Sequence, residues 1–114
     1  MADLERYIDD VTNDLDANTV GSATGWIDVE TCEGVAVYVG AGNGSHTTHE
    51  VVVQMSPDGV LNGGAHEEGG AMKKIVAGGH MHIDDAKSIS YIRAYVFRAE
   101  GSASNIDVHI QGFR

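Results

Sequence analysis

From Trp26 to the end of the chain, apolar residues recur at every second position in short runs, each closed by a glycine-rich break. That is the period of a half-buried strand, whereas a helix repeats about every 3.6 residues. "GWIDVE" opens the series. "GVAVYVG" puts Val35, Val37 and Val39 on one face, and "HEVVVQMS" puts Val51, Val53 and Met55 opposite Glu50 and Gln54. "MKKIVAG" and "HMHIDD" are shorter runs. "YIRAYVFRAE" is apolar on both faces, which predicts a central strand covered on both sides. "NIDVHIQGF" alternates Ile106, Val108 and Ile110 with Asp107, His109 and Gln111. Asn43-Gly44, "SPDG", "NGGAHEEGG" and "GSASN" supply the turns between runs. About seven strands punctuated in this way predict an all-β fold, a single β-sandwich of jelly-roll type.

The 114 residues fit one domain. Within it, residues 1–20 read as an acidic N-terminal arm and residues 21–114 as the sandwich. Leu4, Ile8, Val11 and Leu15 fall at helical spacing, yet "VTNDLDANT" is poor in helix formers. A short helix and an extended arm that orders against a partner both remain open. Charge marks the same segment: residues 1–33 hold nine acids and one base, or −8 of the net −10. A surface of that sign repels phosphate backbones, so no nucleic-acid partner is expected. No apolar run approaches the ~20 residues of a membrane span, and the N-terminus lacks a signal pattern. Synthesis and folding in the cytosol are therefore expected, with no membrane partner. The single cysteine, Cys32, permits no internal disulfide.

Reactive constellations do not assemble in the sequence. "GAGNGS" leads into a strand rather than a helix N-terminus, so it reads as a turn and not a phosphate cradle. Cys32 lies beside Glu30 and Glu33, whose charge raises a thiol pKa and slows its reactions. Glu67-Glu68 sits in a glycine-rich loop, unsuited to preorganised acid and base work. Six histidines invite a metal reading. His80 and His82 share one strand face, and His46 and His49 share a loop, but the ligands that would close a site are not identifiable. His80 and His82 are expected to face solvent while Met81 and Ile83 face the core. No enzyme, cofactor or metal is expected.

Apolar and aromatic residues in excess of a monomer's needs point to a surface instead. Tyr91, Arg93, Tyr95 and Phe97 share one face of their strand, while Ile92, Ala94 and Val96 take the other. Tyr91, Arg93, Tyr95 and Phe97, together with Leu4, Tyr7, Ile8 and Val11 of the N-terminal segment, are the expected partner interface. "VVVQMSPDGV" and "YIRAYVFRAEGSASNIDVHIQG" resemble the strand–Ser-x-Asp-Gly–strand and closing-hairpin pattern of small β-sandwich head-decoration (cement) proteins of tailed bacteriophages, over residues 26 to 114. The resemblance implies a non-enzymatic virion subunit on the capsid surface. Such a subunit is often a homotrimer and binds the major capsid protein or another virion protein. The same Ser-x-Asp-Gly and Tyr-Ile-Arg elements also resemble discoidin-type carbohydrate-binding modules, although Val60 and Leu61 stand where those carry an aromatic residue.

Overall fold

The computed structural model describes residues 5–17, 19–40, 50–76, 78–98 and 105–114. Among them there is no helix. Ten strands follow in order: β1 (Arg6–Leu15), β2 (Ile27–Asp28), β3 (Gly34–Val39), β4 (Glu50–Ser56), β5 (Glu67–Glu68), β6 (Ala71–Met72), β7 (Ile75–Val76), β8 (His80–Ile83), β9 (Tyr91–Arg98) and β10 (Ile106–Phe113). The protein is all-β. Sheet A has the order β1-β10-β3-β8, sheet B the order β2-β9-β4-β7, and β5-β6 is a separate ribbon. Every pairing is antiparallel.

One cluster of buried residues draws on both four-stranded sheets. Val35, Val37, Ile106 and Ile110 enter it from sheet A, and Val51, Val53, Ile92 and Val96 from sheet B. The eleven largest fully buried side chains are three isoleucines and eight valines. All are β-branched, which suits a pleated surface and disfavours helix. Each contributes about 1.5–3 kcal/mol by leaving water. The alternation read from the sequence thus sets the inward faces of β3, β4, β8, β9 and β10, and "YIRAYVFR" is an interior strand of sheet B.

The N-terminal segment differs from expectation. Neither a helix nor a free arm is seen there among the described residues. Arg6–Leu15 is a ten-residue strand paired with β10, and Glu5 and Arg114 exchange backbone hydrogen bonds of 2.9 and 3.0 Å. Leu15 and Ala17 are buried in the common core, and Ile8 packs against it. The helical spacing has a physical cause. Between Thr12 and Leu15 the register slips by one residue, because Thr12 faces Val108 while Leu15 faces Ile106. Such a bulge reverses the facing of all that follows, so Ile8 and Leu15 turn to the same side of a strand although their positions differ by an odd number.

Two turns also acquire definite form. In the Ser-x-Asp-Gly segment, Ser56 Oγ accepts the Gly59 N–H at 2.9 Å, and Asp58 Oδ1 accepts the Val60 and Leu61 N–H groups at 2.9 and 2.8 Å. Gly59 sits at φ +80° under the Tyr91 ring, a conformation that favours glycine. The glycine-rich loop expected around Glu67-Glu68 holds the β5-β6 ribbon instead. There Glu68 meets His66 at 3.5 Å and Lys73 at 3.6 Å. The Asn43-Gly44 turn, His46, His49 and Leu4 lie outside the described residues, as do residues 101–104.

Candidate functional site

Sheet B turns one face to the core and presents β9 on the other. Tyr91, Arg93 and Tyr95 are half-buried there and Phe97 is exposed. The chain preceding β2 runs alongside β9: Thr24 N–H donates to Ala94 O at 3.0 Å, Gly21 N–H to Val96 O at 3.0 Å, and Val96 N–H to Ser22 O at 2.8 Å. Thr24 Oγ also accepts the Ala94 N–H at 3.1 Å. This docking brings Trp26 onto Arg93.

The guanidinium carbon of Arg93 stands 4.4 Å from the centre of the Trp26 ring and 5.7 Å from that of Tyr95. Arg93 Nε donates to Gln54 Oε1 at 2.8 Å, and Gln54 is itself buried on the adjoining strand. Two aromatic contacts and one buried acceptor therefore fix the plane of the guanidinium. Five of the seven basic side chains lie within 4.0 Å of a carboxylate, namely Arg6, Lys73, Lys74, Lys87 and Arg98. Among the described residues Arg93 does not. Its outer N–H groups are positioned donors for an oxyanion. At the end of β9, Lys74 Nζ stands 5.3 Å from the Phe97 ring centre, and Glu50 meets both Lys74 and Arg98 at 3.7 Å.

Sheet A carries a second surface. The pairings of β1 with β10, β10 with β3 and β3 with β8 align Val11, His109, Tyr38 and His80 in one row across four strands. His80 and His82 point outward while Met81 and Ile83 are buried, as the alternation predicts. The Tyr38 ring centre lies 5.7 Å from that of His80 and 6.0 Å from that of His82. A shallow groove of about 470 Å³ runs beside this row, lined by Asn13, Tyr38, His80, Asp107 and His109 among others. Among the described residues no group of three His, Cys, Asp or Glu side chains is placed to hold a metal.

The expected interface residues divide between the two sheets. Tyr7 and Val11 are exposed on β1 of sheet A, 48% and 46% accessible, whereas Ile8 turns inward. Tyr91, Arg93, Tyr95 and Phe97 are on sheet B. Arg114 lies 3.5 Å over the Tyr7 ring, so the last residue of the chain covers part of β1. Trp26 and Gln54 are the members that sequence reasoning missed, since their meeting with Arg93 depends on strand neighbours distant along the chain.

Cys32 is buried, and its thiol is raised above the ordinary value mainly by that burial. The nearby charge that adds to the shift is Asp28, not Glu30 or Glu33 as the sequence suggests, and Arg114 opposes it. Compared with known protein families, characterised proteins and solved structures, the chain matches none of them.

Proposed function

We propose that this chain is a non-enzymatic virion subunit that decorates and stabilises a phage capsid. Sheets A and B are then the two layers of one jelly-roll β-sandwich. The observation that carries this reading is the Trp26–Arg93–Tyr95 stack beside exposed Phe97. Arginine, tryptophan and tyrosine are enriched at the energetic centres of protein interfaces; the rings offer area at little conformational cost, and the contacts with Trp26, Tyr95 and Gln54 already restrain the flexible Arg93 side chain. An arginine held against two rings, with no carboxylate within 4.0 Å among the described residues, is complementary to an acidic residue of a partner. Capsid positions repeat, so contacts that are weak singly add through avidity.

The test is co-sedimentation with heads of the phage that encodes the chain. Wild-type protein should sediment with the heads in fixed ratio, and Arg93→Ala should remain in the supernatant. Light scattering after size exclusion should show a trimer. Protein that never sediments with heads overturns the reading. A second reading, a carbohydrate-binding module, is favoured by the position of Trp26 in the same face; it predicts a monomer that binds glycans.

A further inference from the structure

We propose that His80 and His82 form an open chelating pair for a borderline first-row dication of the Zn²⁺, Ni²⁺ and Cu²⁺ class, on the outer face of sheet A. The inference does not depend on the virion reading. It starts from strand geometry. Residues two apart on a strand project from the same face about 6.5–7 Å apart, so two imidazoles can lean together over one point. Burial of Met81 (3% accessible) and Ile83 (7%) fixes which face that is, and pairing of β8 with β3 holds the backbone.

The rings do lean together. Their centres are 5.2 Å apart, with the planes at 88°. An imidazole bound at about 2.0–2.1 Å puts its ring centre roughly 3.2 Å from the metal, so two of them at a tetrahedral angle have centres about 5.2 Å apart. The pair therefore has the spacing that a shared ion requires. Tyr38 closes one side of the pair by its ring contacts with both histidines. Among the described residues, the histidine that meets a carboxylate is His66, and neither His80 nor His82 makes a hydrogen bond with its side chain.

Chemistry selects the ion. Imidazole nitrogen suits zinc, nickel and copper, whereas calcium and magnesium demand oxygen ligands. With no third histidine, cysteine or carboxylate joining the pair among the described residues, the remaining coordination positions belong to water or to an incoming ligand. This is an open site rather than a structural one. The net charge of −10 draws dications to the surface.

Isothermal titration of ZnCl₂ and NiCl₂ into the full chain tests the site, with histidine ring resonances followed by NMR in parallel. Wild-type protein should bind an ion and shift the His80 and His82 ring signals. His80→Ala and His82→Ala should each weaken binding on the order of tenfold or more, a loss that even an outer-shell partner's removal causes. The double variant should lose the site, and His109→Ala should match wild type. Both histidines are exposed, so circular dichroism of the variants should be unchanged. Absence of binding in the wild type overturns the proposal. So does a double variant that binds as the wild type does, or zinc that leaves both ring signals unmoved.

Discussion

A methyl group placed on Gly112 would stand 2.5 Å from the sulfur of Cys32 and 3.3 Å from Ile8 Cβ. Gly112 lies inside β10 between Ile8 of β1 and Val35 of β3, and it is glycine because its neighbours occupy the space of a side chain. Gly112→Ala should lower stability by about 1–3 kcal/mol through overpacking, read from urea denaturation. Adding Cys32→Ala should restore part of the loss. Equal destabilisation in the single and double variants would show that the sulfur is not the obstacle.

The Cys32 thiol is both buried and held above its ordinary pKa. Alkylation by iodoacetamide should therefore be slow in native protein and should accelerate sharply in denaturant, because the thiolate is the reactive form. Rapid native labelling would contradict the burial.

Asp58 has its carboxyl below the ordinary value, chiefly because the Leu61 and Val60 N–H groups donate to the charged form. A depressed folded-state pKa contributes stability that is present above the unfolded value and lost as pH falls through the folded one. The turn after β4 should loosen only in acid, below the ordinary carboxylate range. NMR of the Val60 and Leu61 amides during acidification reads this, and Asp58→Ala should produce the same loosening at neutral pH. Amide signals that stay fixed through the whole acid range would refute the assignment.

Strand β1 contributes to the core rather than standing apart from it. Leu15→Ala should cost about 2–5 kcal/mol, the usual range for a buried leucine. Removal of residues 1–16 should unfold or strongly destabilise the chain, since β10 would lose its neighbour as well. A truncated chain with an unchanged thermal midpoint would show that sheet A stands without β1.

Arg93→Lys keeps the charge and discards the planar group between Trp26 and Tyr95. A double-mutant cycle with Trp26→Ala should give a coupling of about 0.5–1 kcal/mol, the scale of such contacts when partly exposed. Additive losses would mean that the ring and the guanidinium are neighbours without being partners.

What the chain discloses to a reader depends on how local the cause is. Val35, Val37 and Val39 announce their strand and its inward face, because period two is written in consecutive residues. Met81 and Ile83 do the same against His80 and His82. Ile8 and Leu15 mislead, since a bulge is a property of the pair of strands and not of β1 alone. The row of Val11, His109, Tyr38 and His80 exists only once three pairings are in register. Trp26 reaches Arg93 by the docking of an irregular segment, for which no periodicity exists.

Strand β10 lies between β1 and β3, although nine strands precede it among the described residues. During synthesis β1 and β3 therefore emerge long before the strand that joins them. Sheet A cannot close on the ribosome until β10 has followed, and its closure brings together the most distant parts of the sequence, which slows folding. In the folded sheet β1 is the outermost strand, and Asp9 and Asp10 give its open edge a charge that discourages pairing with other chains.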